Sequence, residues 1–239
     1  MDRAVSRSFQ ILEALAQASG PMRLSAVAAQ TGLQKSTVHR ILGTLCELGY
    51  AQQEASGLYG ASLKTWELGA GVIVDLPIKR VASGYLQNLH RDTGETVNLT
   101  VLVGDDVLYL DKIIAPRPVR FSTRVGSRVA APLTSGGKAM LARLADAPER
   151  LARIAARRTL DVEAVLAELD QVRARGYAVS GYSPGVVSTG AAVIGPGHAP
   201  IAALSVSAPQ ARLDAGKSKA IAEAVLETCA RMAEAVNRP

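Results

Sequence analysis

The spacing of apolar and polar residues divides the chain near residue 76. In the first sixty residues the apolar positions recur at helical intervals. Val5, Phe9, Leu12, Leu15 and Ala16 predict a first helix, ended by Gly20-Pro21. Ser25 is a candidate N-cap for a brief Ala-rich helix, AVAAQ, which closes at Thr31-Gly32, a pair suited to a left-handed turn. A third helix starts near Gln34, where Val38, Ile41, Leu42, Leu45 and Leu48 form one apolar stripe and Ser36, His39, Arg40, Thr44 and Glu47 lie opposite. After Gly49 the stretch YAQQEASGLYGAS makes two short arms about Ser56-Gly57, the pattern of a hairpin. Three helices with a tight turn and a following hairpin predict a winged helix-turn-helix over residues 1–62.

KTWELGAGVIVD then predicts a linking helix, assigned to residues 63–76, with Trp66 as its one large anchor and Gly69 and Gly71 weakening it. Beyond Pro77, Val81, Tyr85, Leu86 and Leu89 predict a helix to Thr93. ETVNLTVLV and VLYLDKII flank an acid-Gly turn as paired strands, and VRFSTRV adds a third alternating strand. Helices are predicted over 137–144, 147–157 and 162–175, strands at YAVS, GAAVIG and IAALSVS, and a last amphipathic helix over 215–236. Residues 77–239 therefore read as an α+β domain with an antiparallel sheet.

Composition fits a folded chain: 239 residues, 48% hydrophobic, are enough for a buried core, and with 4% aromatics that core is built from Ala, Val, Leu and Ile. No apolar run approaches the ~20 residues that cross a bilayer, and MDRAVSRSFQ has no apolar leader, so a cytoplasmic protein without a membrane partner is expected. Cys46 and Cys229 are too few for a disulfide framework, and His39, His90 and His198 show no zinc-ligand spacing. Free thiols, no metal and no cofactor are expected. The net charge of +6 suggests an anionic partner, but residues 1–62 contribute only +1, five cations against four acids. Much of the excess lies in 111–128, where Lys112, Arg117, Arg120, Arg124 and Arg128 face a single Asp.

Charge therefore does not mark the DNA-facing part; position does. In a helix-turn-helix the second helix of the motif enters the major groove. Lys35 and Arg40 can neutralise phosphate or donate to guanine O6 and N7, and Ser36 and Thr37 can donate to phosphate or to either base type. His39 can bond a base or a phosphate, and free N–H groups at the helix start attract a phosphate. Arg7, Ser25 and Gln34 complete the predicted contact set. Alone, this face is that of any solvated helix. The Gly turn, the preceding short helix and the hairpin separate the two readings.

TGLQKSTVHRILGTLCELGY, with SRSFQIL before it and GSRVAAPLTSGGKAMLA and RARGYAVS after it, resembles the corresponding segments of IclR-family transcriptional regulators, in order and nearly end to end. The resemblance implies an N-terminal winged helix, a linker helix used in dimerisation and a C-terminal GAF-like domain that binds a small organic effector. It also implies dimers, or dimers of dimers, on palindromic operators in double-stranded DNA, with repression the commoner outcome.

Along IAALSVS the period of two puts Ser205 and Ser207 on one face, where a pair of hydroxyls can hold a carboxylate or a phenolic oxygen, or can simply bond backbone. In the family the matching serines contact the effector. The resemblance extends the candidate set to Val129, Ala130, Thr134, Ser188 and Thr189. Three positions depart from the family pattern: Pro132 stands where a His is common, Gly181 for an acid and Ser188 for a Cys. These changes lower the expected polarity of the pocket and suggest an aromatic acid rather than a small keto acid.

Enzyme motifs are weaker. GYSPG at 181–185 matches the G-x-S-x-G nucleophile elbow, but Pro184 has no N–H for an oxyanion hole, and no acid lies between Ser183 and His198. SGGKAML lacks the Ser or Thr and the earlier Gly of a phosphate loop, and a Gly pair opening a helix explains it. GPG at 195–197 reads as a hairpin turn. The expectation is a DNA-binding regulator and not an enzyme; the alternative is a ligand-binding or hydrolytic α+β domain with a non-functional helix-turn-helix.

Overall fold

The structure, a computed structural model, describes residues 2–117 and 123–238. It forms two compact units, 1–76 and 77–239.

In the first unit, α1 (Arg3–Gln17), α2 (Leu24–Thr31) and α3 (Lys35–Glu47) precede a hairpin of β1 (Ala51–Gln53) and β2 (Tyr59–Ala61), and α4 (Leu63–Val74) follows. Asp2 caps α1, its carboxylate accepting from Ala4 N at 2.7 Å. The helix ends at Gln17, before Gly20 is reached. Its buried line is Ile11, Ala14 and Leu15; Val5 and Phe9 are 53% and 60% exposed, so the predicted stripe holds only in the second half of the helix. Ser25 does not cap α2: Arg23 occupies the N-cap and Ser25 lies exposed inside the first turn, because the helix starts two residues earlier than the Ala-rich pattern suggests. Gly32 closes α2 in the left-handed conformation, φ 68°, which a side chain would oppose. Val38, Ile41, Leu42 and Leu45 of α3 are buried with Ile11, Leu15, Val27 and Tyr59, while Leu48 lies outside at 54% exposure. Met22 and Tyr59 exchange backbone hydrogen bonds of 2.8 Å each and tie the loop before α2 to the wing.

Ser62 caps α4, and Lys64 donates from Nζ to the Leu48 carbonyl at 2.8 Å while lying over the Tyr50 ring. A cation at the last carbonyls of α3 also complements that helix's dipole. Trp66 is not a buried anchor. It is 68% exposed, as are the large apolar side chains of Leu63, Leu68, Val72 and Val74 to a similar degree, and no residue of α4 is buried.

The second unit opens with α5 (Pro77–Thr93), β3 (Thr96–Val103) and β4 (Asp106–Ile113). The predicted strand VRFSTRV falls partly on 118–122, outside the described residues; Thr123 to Val125 are not in a strand, and β5 is Arg128–Ala130. Then come α6 (Ser135–Leu141), α7 (Ala147–Ala155), α8 (Val162–Arg175), β6 (Tyr177–Ser180), β7 (Val186–Ile194), β8 (Pro200–Pro209) and α9 (Ala215–Asn237). The six strands form one antiparallel sheet in the order β5-β4-β3-β8-β7-β6. The amphipathic helices α5 and α9 pack against each other and against the sheet, whereas α6 lies on β6, β7 and β8.

Register places polar residues in rows across this sheet. Ser180, Ser188, Ser207 and Thr96 are successive partners on β6, β7, β8 and β3. In the next row Gly190, Ser205 and Asn98 are partners, and beyond it Ala203, Thr100 and Tyr109. Two glycines let α6 approach the sheet: a Cβ on Gly136 would lie 2.8 Å from Thr100 Oγ1, and one on Gly190 3.0 Å from Gly136 N; a Cβ on Gly137 would lie 2.1 Å from the Ala131 carbonyl oxygen in the turn before the helix. These contacts, not a phosphate, account for the Gly pair of SGGKAML. Lys138, which would serve a phosphate, is instead paired with Glu168 at 2.7 Å.

Candidate functional site

On α3 the burial of Val38, Ile41, Leu42 and Leu45 turns the other side outward. Lys35, Ser36, His39 and Arg40 are exposed, and Thr37 is half-buried. Gln34 is the N-cap, and no side chain accepts from the first N–H groups of this thirteen-residue helix. Such a start is a ready anion site. The one acid of α3, Glu47, sits at its far end, so the N-terminal half carries positive charge only. Arg7 on α1 and Ser25 on α2 are exposed in the same unit. Donors, cations and a helix dipole are thus presented on a rigid, packed helix, as groove recognition requires.

In the second unit a narrow cleft of about 400 Å³, including its open mouth, lies between α6, the sheet and the loop 181–185. Four of the predicted effector residues line it: Thr134, Ser188, Ser205 and Ser207. Val129, Ala130 and Thr189 do not. Val129 packs on the cluster around Met140 and Leu141; Ala130 borders a different hollow, beside Arg128 and Arg157. Thr189 follows Ser188 on β7, and strand alternation turns it to the opposite face. Gly181 is not at the cleft either. Ser180, one residue earlier, is.

Residues that sequence reasoning missed include Thr100, Tyr109, Ser135 and Tyr182. Pattern alone could not find them, since they converge through register and through the seating of α6. Among the described residues ten of thirteen that line the cleft carry a hydroxyl and none carries a formal charge. Several hydroxyls are already committed. Thr134 accepts from Gly137 N at 3.0 Å, Ser180 donates to the Leu133 carbonyl at 2.7 Å, and Ser188 bonds both Ser135 and Ser207. Ser205 and Tyr109 are 5% and 8% exposed, and among the described residues their hydroxyls have no hydrogen-bond partner. Burial, with the neighbouring Tyr182 hydroxyl, pushes the Tyr109 phenol above its ordinary range. No buried side-chain polar atom of the described residues is left unpaired, so both hydroxyls keep access to the cleft, where a ligand oxygen or water can bond them.

The hydrolase reading gains nothing from the geometry. Ser183 is at the mouth of the cleft, but His198 lies past the other end of β7, roughly 25 Å along a nine-residue strand. Cys229 is buried beneath the sheet with its thiol pushed up to about 12 by burial.

Residues 4–55 match the model of the IclR helix-turn-helix domain, and residues 70–234 that of the C-terminal region of bacterial IclR transcriptional regulators. A probable transcriptional regulator, SauR, from Cupriavidus necator is 34% identical over 88% of this chain and 87% of its own. The regulator BhcR from Paracoccus denitrificans is 31% identical over 94% and 84%. Among solved structures, an IclR homologue from Microbacterium hydrocarbonoxydans, crystallised with 4-hydroxybenzoate, superposes with a TM-score of 0.84 at 21% identity, covering 98% of both chains. An IclR regulator from Alicyclobacillus acidocaldarius gives 0.83 at 21%, covering 99% and 100%. Matched by both family models and by these relatives along most of its length, the chain belongs to the IclR family of transcriptional regulators.

Proposed function

We propose that this protein is a cytoplasmic repressor that binds a palindromic operator as a homodimer, or dimer of dimers, and changes operator occupancy when a small organic acid enters the cleft under α6. Residues 1–62 are the DNA-binding domain, 63–76 the linker and 77–239 the effector domain. The observation that carries the DNA-binding half is the division of α3, whose buried stripe leaves Lys35, Ser36, His39 and Arg40 free at its N-terminal half. Arg7, Ser25, Gln34 and Thr37 are proposed to flank them on the duplex.

The exposed apolar side chains of α4 support the oligomer, since large apolar residues concentrated on one short helix favour a partner surface. Ser188, Ser205, Ser207 and Thr134 are the proposed effector contacts, joined by Tyr109. An aromatic acid is the finer proposal. The rings of Tyr109 and Tyr182 at the cleft support it, and the Microbacterium homologue binds such a molecule. Gel shifts with DNA upstream of the gene, at low salt, test the whole reading: a specific complex is expected, released or strengthened by one member of a panel of aromatic and short-chain acids. Absence of any specific complex would reject it.

A further inference from the structure

A chain of hydrogen bonds runs under the cleft and continues beyond it. Thr123 Oγ1 donates to Asn98 Oδ1 at 2.8 Å, and Asn98 Nδ2 donates to Ser207 Oγ in a long bond of 3.4 Å. Ser207 donates to Ser188 Oγ at 3.1 Å, and the hydroxyls of Ser188 and Ser135 lie 2.8 Å apart. Asn98 is 1% exposed and does not line the cleft.

An amide has a direction that hydroxyls lack: its nitrogen only donates and its oxygen only accepts. The three serines own three hydroxyl hydrogens, and their two mutual bonds use two of them. With Asn98 donating into the Ser207 end, the third hydrogen is left at the Ser188–Ser135 end, which opens on the cleft. Were the amide reversed, Ser207 would donate to it, the other two would follow, and that end of the chain would offer the cleft lone pairs alone.

We propose that Asn98 is a positioning residue for the effector site, orienting the Ser207–Ser188–Ser135 chain so that it ends in a donor and selects a carboxylate over the corresponding primary amide. The proposal rests on the cleft being the ligand site. Among the described residues no lysine, arginine or histidine lines that cleft, so the donors these residues offer an anion are neutral and their direction sets the preference. A hydroxyl that turns its lone pair toward a carboxylate repels it and leaves both groups without a partner.

Calorimetry on the full chain, without DNA, tests this with acid and amide pairs: 4-hydroxybenzoate and 4-hydroxybenzamide, benzoate and benzamide, lactate and lactamide. The wild type is expected to bind at least one acid about tenfold more tightly than its amide. Asn98→Asp keeps the shape but accepts at both ends, so Ser207 turns its hydrogen toward residue 98. That acid is then expected to weaken at least about tenfold and its amide to strengthen, inverting the preference. Repulsion by the new charge alone would weaken the acid without strengthening the amide, and a folding defect would weaken both; either result overturns the proposal.

So does a wild type that binds none of these acids, or that binds amides equally well. If Asn98→Asp does not fold, Thr123→Val decides. It removes the donor that holds the Asn98 oxygen, and the acid preference is expected to fall severalfold with amide affinity unchanged; an unchanged preference overturns the proposal. Operator occupancy is measured separately. Inverted ligand preference with no effect of ligand on DNA binding would sink the regulatory reading and leave the role of Asn98 standing.

Discussion

Glu95, which has no exposed surface, accepts two hydrogen bonds from Arg212, 3.0 Å from Nε and 2.6 Å from Nη2, and a third from Lys217 at 2.9 Å. The pairs join the start of β3 to the approach and first turn of α9. Burial alone would push this carboxyl up, but the hydrogen bonds and positive charges of Arg212 and Lys217 together hold it below the usual glutamate range. Its contribution to stability is therefore complete above the ordinary glutamate pKa, near 4.3, and is lost as pH falls through the lower folded value. Chemical denaturation should show Glu95→Gln destabilised by on the order of 2 kcal/mol at pH 7, less than the ~3–5 kcal/mol of a fully buried pair because both cations are partly exposed. The difference from wild type should shrink below pH ~4.

Lys35→Ala and Arg40→Ala act on DNA alone. If a side chain contacts phosphate, its loss should weaken operator and random DNA alike and reduce the slope of log affinity against log salt by ~0.9. If it reads a base edge, operator affinity should fall by about 1–3 kcal/mol with random DNA little changed. Fluorescence anisotropy at several salt concentrations separates the two.

Ser205→Ala and Tyr109→Phe should each weaken the effector about five- to tenfold, the value of one hydrogen bond of ~1–1.5 kcal/mol. Melting temperature should barely move, since neither hydroxyl has a partner within the described protein to lose. Thr189→Val, on the far face of β7, should leave ligand affinity unchanged in the same calorimetry.

Gly137→Ala should prevent or severely impair folding of the second unit, because the added Cβ would meet backbone at Ala131 that has nowhere to move. Gly181→Ala, with nothing within 4 Å, should change stability by less than ~0.5 kcal/mol. Expression level and circular dichroism of the two variants read the contrast.

The chain has one tryptophan, and it is on α4. If α4 is the oligomer surface, dilution should shift Trp66 emission to the red over the same concentration range in which sedimentation shows dissociation. An emission maximum that stays at its solvent-exposed value at every concentration would place the interface elsewhere.

The recognition helix was legible because a helical stripe such as Val38, Ile41, Leu42 and Leu45 is written at fixed short intervals, and the exposed residues are simply those left over. The fold of the second unit was legible for the same local reason, down to the limits of α8. The cleft was not, beyond the pair Ser205 and Ser207. Thr100, Tyr109 and Ser135 come together through strand register and through two glycines that admit α6, and neither is encoded at short range. The serine row was hidden for the same reason: Ser188 read as a small residue standing for a cysteine, and only register sets it between Ser180 and Ser207.

A cleft walled by hydroxyls has almost nothing to titrate. Among the described residues that line it there is no carboxylate and no cation, and burial pushes the Tyr109 phenol above its ordinary range. Between about pH 5 and 8 the protein's side of the binding equilibrium should thus be constant, so any acidity dependence of the response comes from the ligand's own ionisation. If the ligand is a weak acid held as its anion, the response should follow the carboxylate concentration rather than total acid, and so rise with the alkalinity of the surroundings.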